Sequence, residues 1–165
     1  MESNPDLTPM TYLADFFTVK ETQHIPYING LNNNKLSYSC IPLSKCIDQV
    51  SSDLSPRISL PSATIINEVS PEFFVSTDKI QLTAILKALL NALLTNEHLY
   101  DIVISAKEIG SITIIHIKTN TENYNAVVAG SLQTIEPLAT TLGGCVTISN
   151  NKMYGLTVAV TFINH

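Results

Sequence analysis

The imidazoles and thiols, the first candidates for covalent or acid–base chemistry near neutral pH, are few in this chain: His24, His98, His116 and His165, and the cysteines Cys40, Cys46 and Cys145. A catalytic thiol or hydroxyl needs a base within hydrogen-bond reach, and a zinc site needs Cys or His in closely spaced pairs. Neither spacing occurs. The cysteines are odd in number and lack the short paired spacing of zinc ligands, so the pattern predicts buried free thiols in a reducing compartment. His98, near a helix end, suits the negative end of a helix dipole when charged, and His116, inside a β-branched run, predicts a packed strand residue. His24 reads as a loop residue in Gln23-His24-Ile25-Pro26, and His165 is terminal. The carboxylates Asp15 and Glu21 sit apart on a solvated face. The residues assign no catalytic group and no metal ligand.

The elements that must position any site begin from composition. Hydrophobic residues make up 45% of the 165 and charged residues 14%, against about 25% charged in an average soluble domain. The length suits one domain. The apolar surplus predicts that part of the surface is covered by a partner or a neighbouring domain. Net charge is −5, and the nine basic residues are scattered, with Arg57 the single arginine. Nucleic-acid binding needs clustered cations, so that class is excluded. No signal-peptide pattern opens the chain. The most apolar stretch, Ile80 to Leu94, is interrupted by Lys87 and Asn91 and is too short for a bilayer. A cytoplasmic location without membrane contact is expected.

Thr8-Pro9 reads as a helix start, followed by an apolar stripe of Met10, Tyr12, Leu13, Phe16 and Phe17 that ends near Lys20. One short helix cannot leave so aromatic a face in water. Tyr12, Leu13, Phe16 and Phe17 are therefore the expected interaction residues, either pairing with a second copy or docking back on the chain. Residues 29–35 form a polar linker, which divides the chain into 1–35, helix and linker, and 36–165, the main domain.

Within that domain Leu36 to Ile41 alternates as a strand, and Pro42 leads into a helix through Leu43, Ile47, Val50 and Leu54. Ile58 to Val69 carries strand signals, and Phe73-Phe74-Val75 another. Thr77 or Asp78 can cap the longest helix, whose face is Leu82, Ile85, Leu86, Leu89 and Leu93. Asp101 to Lys107 and Ser111 to Lys118 form a hairpin around Gly110. Asn120 to Gly130 reads as irregular and Leu132 to Leu142 as a helix, with Pro137 near a kink or broken turn. Gly143-Gly144 ends it before a second strand pair. The expected fold class is α+β: a two-layer sandwich, its mixed, mostly antiparallel sheet of about five strands covered on one face by about three helices.

Val75-Ser76-Thr77-Asp78, the long leucine-rich helix with Leu89-Leu90-Asn91-Ala92, and Leu132 to Gly144 before a final strand pair resemble the ATP-binding domain of sensor histidine kinases. That family belongs to the superfamily of gyrase, mismatch-repair ATPases and a heat-shock chaperone. The resemblance covers residues 36–165. It implies a nucleotide site made of three parts: an Asn-x-x-x-Asn helix with a following Lys, an Asp-x-Gly-x-Gly adenine turn, and a glycine-rich lid opening the next helix. In one register Asn91 survives as the magnesium-side Asn, with Lys87 and Leu94 at the other two places. An ungapped count from Asp78 puts Ala88, Ala92 and Thr95 there instead. Thr119 stands at the adenine Asp, Thr121 and Asn123 at the glycines, and Ser131 at the last lid glycine beside Gly130. His24 lacks the acidic neighbour of the family's phosphoacceptor.

Losing three parts together implies a degenerate domain without ATP or Mg²⁺, with Asn91 a vestigial remnant. The resemblance then implies a bacterial two-component adaptor or phosphotransfer module whose partner is a response regulator or its own dimer. A sporulation phosphotransferase and a bacterial histidine phosphotransfer protein use the fold in that way. It also allows the cytoplasmic part of a membrane-anchored sensor. The alternatives are a divergent kinase domain that binds ATP weakly, and an unrelated small-ligand sensor.

Overall fold

A computed structural model of the chain describes residues 36–55, 64–94, 101–120, 126–151 and 155–165, all within the unit Lys35–His165. The N-terminal stripe and linker, with His24 and His98, lie outside the described residues.

Strand β1 (Tyr38–Pro42) pairs antiparallel with β3 (Phe74–Asp78) as a separate two-stranded ribbon. Between them come α1 (Leu43–Leu54) and β2 (Thr64–Asn67). Pro42 ends β1 and precedes the helix directly, and the Leu43 N–H donates to the Phe73 carbonyl at 2.9 Å, so ribbon and helix share a corner. Leu43, Cys46, Ile47, Val50 and Leu54 recur at helical spacing and are buried. The Asn67 amide donates to the Asp48 carboxylate at 2.7 Å and the Ser44 carbonyl at 3.1 Å, fixing the end of β2 against α1.

Helix α2 (Lys79–Leu94) follows β3 without a loop, because Asp78 both ends the strand and caps the helix. Strands β4 (Asp101–Ile109) and β5 (Ile112–Thr119) form the hairpin, with Ile109 opposite Ile112 and Gly110 at φ 61 in the turn. That left-handed backbone is why glycine stands there. Helix α3 (Ala126–Thr141), β6 (Cys145–Asn151) and β7 (Gly155–Ile163) complete the order. The main sheet runs β2-β4-β5-β7-β6; β2 lies parallel to β4 and the other pairs are antiparallel.

One sheet face is the core. Ile102 and Ile104, Ile115 and Ile117, and Leu156, Val158, Val160 and Phe162 alternate inward and pack with Leu82, Ile85, Leu86, Leu89 and Leu93 of α2. Among the described residues the two-layer α+β expectation holds: a mixed five-stranded sheet with three helices.

Two expectations change. The segment expected to be irregular up to Gly130 is helical from Ala126, and Pro137 lies inside a continuous α3. Gly and Pro disfavour helix interiors by about 1 and 3 kcal/mol, and tertiary packing overrides them: Ile135, Ala139 and Leu142 of this segment are in the core. The cysteines also divide. Cys46 is buried, but Cys40 and Cys145 are exposed, because each sits at a strand position whose side chain leaves the core face.

Candidate functional site

Helix α2 carries most positions that chemistry would need, so its rotation about its axis decides the site. The Asp78 carboxylate accepts the Gln81 N–H at 3.0 Å and, through its other oxygen, the Ser37 N–H at 2.8 Å. Burial pushes this carboxyl up, but the N–H groups of Gln81, Ser37 and Ile80 outweigh it and hold the group below its ordinary value. From that cap α2 runs uninterrupted to Leu94. Leu82, Ile85, Leu86, Leu89, Leu90 and Leu93 face the core, and Ala92 is buried with them. Asn91 is exposed and lines a groove with Asp53 and Leu54, so it faces the α1 side of the helix. Ala88 lines the same groove, and Leu94 is half-buried against the core.

Thr119 ends β5 and is 3% exposed, flanked by Ile102 on β4 and Leu156 on β7. A Cβ on Gly155 would stand 2.2 Å from the Thr119 carbonyl oxygen, so the chain packs tightly there. Thr121 and Asn123 lie outside the described residues. Gly130 and Ser131 fall in the second turn of α3, not at its start. Gly143 and Gly144 have a structural role: the Gly144 N–H donates to the Ala139 carbonyl and the Gly143 N–H to the Thr140 carbonyl, each at 3.0 Å. With Gly143 at φ 71 this is a Schellman C-cap.

Sequence reasoning missed the groove between α1 and α2. Its volume is about 360 Å³, and its lining includes Lys45, Cys46, Asp53, Lys79, Thr83 and Lys87. Lys87 and Asp53 form an ion pair at 2.5 Å across it, with their side chains 43% and 38% exposed. The hydrogen bond from Lys87, helped by Gln49, holds the Asp53 carboxyl below its ordinary value. Lysines scattered along the sequence thus converge in space. The signal available was the first turn of each helix, which carries a lysine and no acid.

The remaining candidates lie apart. His116 is half-buried on the outer sheet face, where burial, then Lys107 and Lys118, push its imidazole below the ordinary value. The His165 ring packs on Tyr38 with centroids 4.4 Å apart, and the His165 backbone N–H donates to the Ser76 carbonyl at 3.1 Å. Among the described residues no three His, Cys, Asp or Glu side chains gather as a metal site, and no helix is long and apolar enough to cross a membrane. Tyr12, Leu13, Phe16 and Phe17 lie outside the described residues.

No protein-family model and no curated protein matches the sequence. Solved structures do match the fold. Acinetobacter baumannii histidine kinase AdeS aligns with a TM-score of 0.69 at 13% identity, covering 79% of this chain and 69% of that one. The catalytic domain of histidine kinase ThkA gives 0.62 at 11%, covering 78% and 96%. The ATP binding domain of PrrB from Mycobacterium tuberculosis gives 0.62 at 14%, covering 78% and 98%.

Proposed function

Starting from a domain with the histidine-kinase catalytic-domain fold, we propose that this chain serves two-component signalling as a protein-interaction or phosphotransfer adaptor that does not use ATP. The observation that carries this reading is the unbroken helix between the Asp78 cap and Leu94. An uninterrupted helix favours the ungapped count, which sets Ala88 and Ala92 at the two Asn positions. Neither side chain can ligate a cation. Asn91 is one residue away, and one residue turns a helical side chain by about 100°. Its exposed amide lies on the α1 side, beside Asp53.

The other two parts agree. A carboxylate that accepts the adenine amine is replaced by Thr119, 3% exposed within the ladder. Phosphate binding uses the free N–H groups of a helix's first turn, and Gly130 and Ser131 stand beyond that turn. These residues do not fit a magnesium–triphosphate, and no chemical step is routed through one. The partner on this reading is a response regulator or a second copy of the chain, with Tyr12, Leu13, Phe16 and Phe17 as the self-association residues and the cytoplasm as the compartment.

A second reading, weak nucleotide binding through Asn91, is favoured by the exposure of that side chain. Thermal unfolding separates the two, because a ligand that binds only the folded state raises its stability by about 2.7 kcal/mol at a hundredfold excess over Kd. The adaptor reading expects an unchanged Tm in millimolar Mg²⁺ and ATP. A rise of several degrees, absent in Asn91→Ala, would overturn it.

A further inference from the structure

Helices α1 and α2 run parallel: Cys46 Sγ meets Thr83 Oγ1 at 3.6 Å, and further along Asp53 meets Lys87 at 2.5 Å. Both helix N-termini, the positive ends of their dipoles, therefore open at one end of the groove. Sequences commonly place acids there. Here the first turns hold Lys45 and Lys79, both exposed, and no acid. Helix α1 has no side-chain cap bond. Of the carboxylates near that end, Asp78 is 6% exposed and turned to backbone N–H groups, while Glu72 is exposed and precedes Phe73, whose carbonyl accepts the Leu43 N–H. With Lys87, three of the nine basic residues of a chain of net charge −5 line one groove, opposed within it by Asp53.

The lining between the lysines is partly apolar, with Ile41, Pro42 and Cys46 beside the uncharged polar Gln49 and Thr83. Beyond the Lys87–Asp53 pair a second hollow of about 380 Å³ continues past Leu54, Ala84 and Ala88 to Asn91. From Lys79 to Asn91 the path follows α2 for about 18 Å, at 1.5 Å per residue. Ile80, one turn before Ala84 on the same helix, is 79% exposed. A long trough with a partly apolar floor and lysines at its mouth matches an extended occupant with both apolar and acidic side chains. It exceeds the needs of a single small anion, and a membrane surface would not enter it.

We propose that the α1–α2 groove docks an acidic amphipathic segment of a partner protein, its carboxylates at Lys45 and Lys79 and its aliphatic side chains on the floor between the helices. The partner class rests on the adaptor reading; the groove and the charge of its occupant are new to it.

The test uses the full chain and a fluorescein-labelled peptide of leucine and glutamate in amphipathic order, followed by fluorescence anisotropy. Saturable binding is expected, weakened about tenfold or more in Lys45→Glu/Lys79→Glu and with a glutamine-for-glutamate peptide. Because acids suit helix N-termini, the double variant should melt no lower than the parent. If it does melt lower, Lys45→Gln/Lys79→Gln carries the comparison instead. No saturable binding, or equal binding by the variants, overturns the proposal. So does full displacement by inorganic phosphate at constant ionic strength, which would assign the groove to a small anion. Binding of Mg²⁺ and ATP that the lysine variants leave unchanged would sink the adaptor reading alone, without touching the peptide result.

Discussion

Asp78 Oδ1 accepts the Gln81 N–H at 3.0 Å, so the last residue of β3 is also the N-cap of α2. This contact does two things. It joins the ribbon to the helix layer without a loop, and it sets the point from which positions along α2 are counted. A helix anchored at its cap cannot slide by one residue without giving up that hydrogen bond.

Asp78→Ala should cost about 1 kcal/mol at neutral pH in urea unfolding, as loss of an N-cap does. The depressed carboxyl adds a pH signature. A folded-state value below 3.8 stabilises the protein above that pH, and the contribution is lost as pH falls through the folded value. The gap between parent and variant should therefore narrow below pH 3.8. A constant gap down to pH 3 would contradict the assignment.

Two glycines should respond differently to alanine. At Gly144 a Cβ would stand 1.7 Å from the Thr161 carbonyl oxygen, whereas at Gly110 it meets open space but sits at φ 61. Gly144→Ala should destabilise by more than about 3 kcal/mol, because backbone must move. Gly110→Ala should cost about 1 kcal/mol, the penalty of a left-handed residue. The reverse order in denaturant midpoints would show that α3 and β7 do not meet as described.

These cases also mark how far the sequence could be read. Pro42, Asp78, Gly110 and Gly143-Gly144 act through local backbone geometry, so the corners of the fold were legible. Strand period and the leucine face of α2 exposed the two layers for the same reason. The start of α3 at Ala126 was not legible, since Gly130 and Pro137 weigh against helix and the packing of Ile135 and Ala139 decides. Nor was the convergence of Lys45, Lys79 and Lys87, which depends on α1 and α2 lying parallel, a fact with no local signature. At the proposed vestigial site the residue types were readable, while the side of α2 that Asn91 faces required the structure.

His116 offers a check on the outer sheet face. Burial, then Lys107 and Lys118, favour its neutral form, so its NMR titration midpoint should fall below 6.5. Since its folded value is depressed, it contributes stability above pH 6.5 that is lost as pH falls through the folded midpoint. Lys107→Gln should move the midpoint upward. A midpoint at or above 6.5 in the parent would mean that the imidazole is neither buried nor faced by those cations.

Isothermal titration with a non-hydrolysable ATP analogue and Mg²⁺ tests the proposed loss of the nucleotide site from a histidine-kinase fold. The proposal sets Ala88 and Ala92 at the ligand positions and Thr119 at the adenine position, so no saturable heat is expected. Saturable micromolar binding that disappears in Asn91→Ala would contradict it and return the domain to nucleotide chemistry.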